Sequence, residues 1–182
     1  ADTVYTEEFT VNVCEVESLV LYQHTLNASR QTINNQVIFN VNGTFNYDSL
    51  VVKAKCKIPG TDEYVEFLLS DKEYVVSNVD LTTTGNKSVT ITYGTGETAV
   101  TADYDIEVLN IPDLSAETAV NVTVNPTASI SVADGVYNFH TINQALQFLT
   151  LAKVSDNCAK TITLTKETVY NEKVYINIPN VT

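Results

Sequence analysis

Tryptophan and methionine are absent from this sequence of 182 residues, and basic side chains are scarce. Ten lysines and arginines stand against 22 aspartates and glutamates, so the formal net charge is -12. Because this charge repels polyanions and anionic lipid surfaces, we expect no nucleic-acid partner. The longest apolar runs, such as residues 65–69, fall far short of the ~20 residues that cross a bilayer. The sequence therefore predicts no membrane span.

Cysteine and histidine are also sparse. Cys14, Cys56 and Cys158 are too far apart in sequence for a zinc knuckle or a C-x-x-C redox pair. His24 and His140 have no Cys, His or carboxylate at ligand spacing, so we expect no metal and no cofactor. The favoured interpretation of the cysteines is free, half-buried thiols, since unbridged cysteine is usually buried. A disulfide between one pair remains the alternative if two strands bring that pair together.

The sequence has no initiator methionine, and no charged segment followed by an apolar one marks a secretion signal. We therefore expect a piece of a longer protein whose signal lies upstream or has been removed. Threonine, asparagine and β-branched residues are abundant, which favours strands. This composition resembles that of secreted and cell-surface modules of bacteria, and we expect the protein to be secreted or displayed at the cell surface.

Alternation of apolar and polar residues predicts a series of short strands, because a strand with one buried face repeats every two residues. The first, Phe9 to Val13, has no partner upstream, so residues 1–15 are the end of a preceding β-domain or a first strand. The next predicted strands are Val16 to Tyr22, Gln36 to Val41, Leu50 to Cys56 and Tyr64 to Leu69. Clusters of turn-forming residues separate the later ones.

The clearest hairpin joins Lys87 to Tyr93 with Thr98 to Val108 through Gly94 and Gly96. The two glycines supply the positive φ that a tight loop needs. Val89, Ile91 and Tyr93 are predicted to share one face with Tyr104, Ile106 and Val108 of the return strand. Strands joined by such turns, without helices between them, predict a β-sandwich.

Residues 74–93 contain a Tyr-x-Val strand, a loop ending in Gly85-Asn-Lys87, and a Val-Thr-Ile-Thr-Tyr strand. This run resembles the last third of a bacterial immunoglobulin-like domain, and the resemblance covers residues 16–109. Any antiparallel sandwich with the same alternation is the alternative. Residues 110–128, bracketed by Pro112 and Pro126, are predicted to be a linker with one short strand, Val120 to Val124.

The only convincing helix is Thr141 to Ala152. Thr141 is a natural N-cap, and Gln144 stands three residues later, as in a capping box. Ile142, Leu146 and Leu149 fall on one helical face, which must cover an apolar surface. Two strands are predicted after the helix, at Thr161 to Thr165 and at Val174 to Ile178.

Residues 129–182 carry several short motifs in a defined order. They are Ala133-Asp-Gly135, Phe139, Thr141-Ile142-Asn-Gln-Ala145-Leu146, Tyr170-Asn-Glu172-Lys173-Val174 and Pro179-Asn-Val181-Thr182. This order resembles the start of a pectinesterase catalytic domain. Thr168-Val169 replaces the Gly-x that usually precedes the tyrosine, a departure that affects the local turn.

The resemblance implies an incomplete right-handed parallel β-helix, closed at its N-terminal end by the helix. The fold class is then mainly β, with an immunoglobulin-like sandwich followed by the start of a β-helix. Tyr170 is expected to pack at the first coil, and Glu172 with Lys173 to form an exposed charge pair. With only about one coil present, we expect the helix stripe at Ile142, Leu146 and Leu149 to remain partly exposed.

The resemblance also predicts function. Pectinesterases use two aspartates, glutamines and an arginine from later coils, and nothing here matches those motifs, so we expect no catalytic residue in this chain. The longer protein is then an enzyme that hydrolyses methyl esters of pectin, its polysaccharide partner, and the oligomeric state is open. The alternatives are another pectin-active β-helix enzyme, such as a polysaccharide lyase, or a non-catalytic adhesion or carbohydrate-binding module.

Overall fold

The computed structural model describes residues 14–24, 30–32, 37–45, 50–165, 169–170, 172 and 174–182. Strands dominate these residues, which confirms the mainly β fold class. The predicted strand from Phe9 to Val13 lies outside the described residues. In chain order the strands are β1 (Glu15–His24), β2 (Arg30–Thr32), β3 (Val37–Asn40), β4 (Leu50–Lys57), β5 (Tyr64–Leu68), β6 (Tyr74–Val76), β7 (Gly85–Tyr93), β8 (Val100–Leu109), β9 (Ala119–Val124), β10 (Ser131–Ala133), β11 (Val136–Phe139) and β12 (Ala159–Leu164), and helix α1 (Ile142–Leu151) lies between β11 and β12.

The first half of the chain forms two four-stranded sheets, with strand orders β2-β1-β4-β5 and β3-β8-β7-β6. All pairs are antiparallel except β3 with β8. The inner faces of the two sheets meet in one apolar cluster. It includes Leu19, Leu21, Val52 and Ala54 from the first sheet and Val89, Ile91, Ile106 and Val108 from the second.

The predicted hairpin is confirmed as β7 and β8. Val89 lies opposite Tyr104, and Ile91 opposite Ala102. Val89, Ile91 and Tyr104 are buried, as the alternation predicted. Gly94 and Gly96 have φ values of 80° and 66°, a region that a residue with a Cβ rarely adopts.

A third four-stranded sheet has the order β10-β11-β9-β12. Two of its three strand pairs, β11 with β9 and β9 with β12, are parallel. On the far side of β12, Lys160 forms a parallel bridge with Val181. The hairpin of β10 and β11 turns through Asp134 and Gly135, which both have positive φ, as in the two-residue loops that favour Asp-Gly.

One segment differs from its predicted role. Residues 174–178 form no strand, and the backbone hydrogen bonds with β12 are instead made by Asn180 and Thr182. The short strand predicted at Val120 to Val124 is confirmed as β9, which lies between β11 and β12. The 110–128 stretch also provides the buried side chains of Ile111 and Leu114.

Helix α1 begins after Thr141, and the predicted capping box is present in full. The expectation of a partly exposed helix stripe is wrong for Leu146 and Leu149, which are buried. The helix instead contributes to a second apolar cluster, which also receives Ile38 and Leu109 from the second sheet. Gln147 strengthens this contact, since its Oε1 accepts a hydrogen bond from the Ile38 N–H at 3.2 Å.

Candidate functional site

Glu172 binds the N-terminus of α1. Its Oε1 accepts a hydrogen bond from the Ile142 N–H at 2.7 Å, and its Oε2 accepts from the Asn143 N–H at 3.1 Å and from Asn143 Nδ2 at 2.8 Å. The first backbone N–H groups of a helix have no partner within the helix, and a carboxylate there also interacts favourably with the helix dipole. The prediction of an exposed Glu172 is therefore wrong, and Lys173 lies outside the described residues.

Tyr170 packs against the second apolar cluster, as predicted. Its hydroxyl lies 2.8 Å from the Val124 carbonyl oxygen and 2.8 Å from Thr165 Oγ1, and it accepts from the Thr165 N–H at 3.0 Å. The hydroxyl thus satisfies backbone groups at the ends of β9 and β12. Tyr170 and Glu172, two residues of one motif, anchor the chain to the sheet and to the helix.

Lys160 is a buried cation that the sequence interpretation missed. Its side chain is 1% exposed, and its ammonium donates to the backbone carbonyls of Cys158 and Pro179 at 3.0 Å each and of Asp156 at 3.4 Å. A buried charge is costly unless it is hydrogen-bonded, and here carbonyl dipoles supply that stabilisation. The sequence did offer a signal for this burial. Lys160 stands immediately before the predicted strand and two residues before Ile162, so in extended backbone both side chains point to the same face.

A cleft of about 560 Å³ lies between the end of β8 and strand β10. Among its lining residues Glu107 alone is ionisable, with the side chains of Thr84, Asn110 and Ser131 as its polar neighbours. Burial raises the pKa of the Glu107 carboxyl, and His140 opposes that shift. Hydroxyl, amide and carboxyl groups suit a polyhydroxylated ligand, but one carboxyl does not provide the acid and base pair of a glycosidase.

The outer face of the first sheet carries two tyrosines beside lysines, and of the two only Tyr64 is exposed. Lys55 Nζ lies 4.3 Å from the ring centroid of Tyr64, and Lys53 Nζ lies 5.2 Å from that of Tyr22. Lys53 also forms a salt bridge with Glu66 at 2.9 Å, which lowers the pKa of Glu66. The Tyr64 side chain is 45% exposed at the edge strand β5, so a ligand can reach it.

The described residues contain no group of three or more His, Cys, Asp or Glu side chains that could hold a metal ion. Within the same residues, no helix is long and apolar enough to cross a membrane. His140, predicted to have a packing or surface role, places Nε2 2.8 Å from the Ala128 carbonyl oxygen.

Comparison with protein-family models, with curated proteins and with solved structures finds no significant match to this chain. The functional argument therefore depends on the residues and their geometry.

Proposed function

We propose that this chain is part of a secreted pectinesterase. An accessory immunoglobulin-like sandwich occupies residues 16–109, and residues 129–182 open the catalytic β-helix. The activity of the longer protein is the hydrolysis of methyl esters of polygalacturonate. No catalytic residue is assigned within this chain, and the residues that the pectinesterase motifs share with it act as structural anchors.

The observation that carries the proposal is the parallel stacking of three segments. Val120 pairs with Lys160, and Lys160 pairs with Val181, both in parallel. Successive turns of a solenoid stack in this way, with repeats of ~20–45 residues. The spacing from Val120 to Lys160 and from Lys160 to Val181 falls within that range. The parallel ladder therefore supports a solenoid that grows beyond β12.

The position of α1 supports the same proposal. A stacked sheet leaves an open end that must be covered, and an amphipathic helix can do this. Helix α1 packs on β9 and β11 and buries Phe148 and Leu149. After β12, Glu172 binds the start of this helix and Tyr170 binds the end of β9. These two contacts explain why a Tyr-x-Glu segment would occur together with a capping helix.

The test is an assay of the natural gene product that contains this chain. We expect it to release methanol from methyl-esterified polygalacturonate without added metal, and its sequence beyond Thr182 to contain the two aspartates and the arginine of the esterase motifs. Formation of an unsaturated sugar product without methanol would instead identify the lyase alternative. Absence of both products and of the esterase motifs would refute an enzymatic role on pectin.

A non-catalytic carbohydrate-binding role is the second candidate, and the exposed Tyr64 ring beside Lys55 favours it. An aromatic ring offers an apolar surface to a sugar, and a neighbouring cation can pair with a uronate carboxylate. Glu66 and Asp62 pair with neighbouring lysines on this face, which weakens its attraction for a polyanion.

Pull-down of this chain with insoluble polygalacturonate tests the second candidate. Tyr64→Ala should abolish retention if the outer face binds sugar. Tyr175→Ala is the matched control, because Tyr175 is also about half exposed, at 46%, but lies in the other half of the chain. Equal retention of wild type and Tyr64→Ala would reject this face as the sugar site.

A further inference from the structure

Two of the three cysteines meet at one end of the first sheet. In the antiparallel pair of β1 and β4, Val16 lies directly opposite Cys56. Cys14 precedes Val16 by two residues, so in extended backbone it lies on the same face as Cys56. Diagonal neighbours of this kind are ~7–8 Å apart along the backbone. Because a disulfide usually joins Cα atoms less than ~7 Å apart, its formation requires a small shift of Cys14, which lies one residue before the start of β1.

The side chains of Cys14 and Cys56 are close enough to interact with each other. Cys56 is fully buried and Cys14 half-buried, and both are free thiols. Burial raises the pKa of Cys56 to about 11, and a hydrogen bond with the Cys14 side chain contributes to that shift. The third cysteine is remote from this pair, because Cys158 belongs to the second apolar cluster.

We propose that Cys14 and Cys56 are a disulfide-forming pair, which on oxidation staples the start of β1 to the end of β4. Because the two residues are separated by a long stretch of chain, the bond restricts the unfolded state strongly. The proposal does not depend on the pectinesterase assignment, since it rests on the strand register and the interaction of the two cysteine side chains alone.

The chemistry requires a disulfide oxidant such as glutathione disulfide. The thiolate of Cys14, the more accessible residue, attacks one sulfur of the oxidant and releases one glutathione thiolate. Cys56 then loses its proton and attacks the Cys14 sulfur, which releases the second glutathione thiolate. The two protons from the cysteines end on the two glutathione thiols, so one disulfide is reduced as another forms.

The experiment compares the reduced chain with the chain after equilibration in glutathione disulfide. Thiol titration in denaturant should fall from three free thiols to one, the residual thiol being Cys158. Peptide mapping without reductant should recover one linked pair that contains Cys14 and Cys56. Oxidation should raise the midpoint of thermal unfolding by about 5 °C or more.

Two variants make the result decisive. Cys158→Ser should retain the linked pair and the thermal shift, whereas Cys14→Ser should lose both. Cys14 is only half-buried, so its substitution is tolerated better than that of the buried Cys56. Any of three results would overturn the proposal: a folded wild type that keeps all its thiols, a stable glutathione adduct on Cys14, or a linked pair that includes Cys158.

Discussion

The paired sheets of the first half and the parallel sheet of the second half differ in what they bury. The core of the first half is made of apolar side chains that alternate along β4, β7 and β8. The second half has an apolar cluster too, but Asn138, Gln144 and Lys160 are buried with it. These three are the buried polar or charged side chains among the residues whose side-chain burial the structure describes.

This difference follows from how the backbone is satisfied in the two regions. In the first half, mainly antiparallel ladders with short connections satisfy most backbone groups. In the second half, several backbone groups at the ends of strands and at the start of α1 are bound by side chains. Lys160, Gln144, Tyr170 and Glu172 all bind such groups. Both regions should therefore be sensitive to loss of apolar volume, and the parallel region should be sensitive to loss of polar side chains as well.

Loss of apolar volume should affect both regions strongly and gives the largest expected effect. Phe148→Ala removes a fully buried ring that stacks on Phe139 and Tyr137, and should lower the free energy of unfolding by about 3–5 kcal/mol. Denaturant unfolding measures this change. Leu151→Ala on the same helix is the control, since Leu151 is 36% exposed. If Phe148→Ala lowered the free energy of unfolding as little as Leu151→Ala does, α1 would not be packed on the sheets.

Replacing the buried lysine tests the polar part of the comparison. Lys160→Met keeps most of the side-chain volume but leaves the Cys158 and Pro179 carbonyls without this donor, and we expect a loss of about 2–3 kcal/mol. The Asp156 carbonyl keeps its hydrogen bond from Asn180 Nδ2. Lys153→Met is the control, because its salt bridge with Asp113 is exposed to solvent and should contribute very little to stability. If Lys160→Met stabilised the protein, the two regions would not differ in their need for polar contacts.

A smaller effect is expected at the N-terminus of α1. Glu172→Gln keeps an oxygen acceptor but removes the negative charge near the helix dipole, which should cost about 0.5–1 kcal/mol. Glu117→Gln, at an exposed position outside the helix, should change stability very little. High salt should reduce the difference between Glu172→Gln and wild type if the interaction is electrostatic. A difference that does not respond to salt would indicate a loss of geometry instead.

The smallest expected effect concerns Asp113 and appears as a pH dependence. A hydrogen bond from the Ser115 side chain, and then one from Lys153, hold the pKa of Asp113 well below its usual range. A carboxyl with a depressed folded pKa stabilises the folded state above its unfolded pKa of ~3.9, and this contribution is lost as the pH falls. Asp113→Asn should therefore be slightly less stable than wild type at neutral pH, and the difference in stability should disappear as the pH falls. A difference in stability that increased in acid would contradict the lowered pKa of Asp113.

Local pattern was enough to predict much of the structure. Period-two alternation predicted β1, β4, β7 and β8 to within about two residues at each end, because one buried face imposes that period. Thr141 and Gln144 predicted the start of α1, since both capping contacts lie within one turn. The tight loop between β7 and β8 was also predictable from Gly94 and Gly96, because the required positive φ values restrict the residue type.

The anchors of the second half were not predictable in the same way. Glu172 contacts Ile142 and Asn143, which are about 30 residues earlier in the chain, so no local pattern reveals the contact. An exposed Glu is the ordinary case, and that expectation failed because the chain after β12 returns to the helix. The strand predicted at Val174 to Ile178 failed for a related reason, since its alternation found no neighbouring strand to pair with.

The sequence by itself determined the mainly β class, the strands of the paired sheets and the capped helix, all of which depend on side-chain periods and turn residues within a short window. Only the tertiary structure decided that β9 lies between β11 and β12, that Cys14 meets Cys56, and that the Lys160 ammonium binds the carbonyls of Cys158 and Pro179. Those contacts join segments distant along the chain. They depend on which backbone edges meet and in what register, and local propensity carries no information about either.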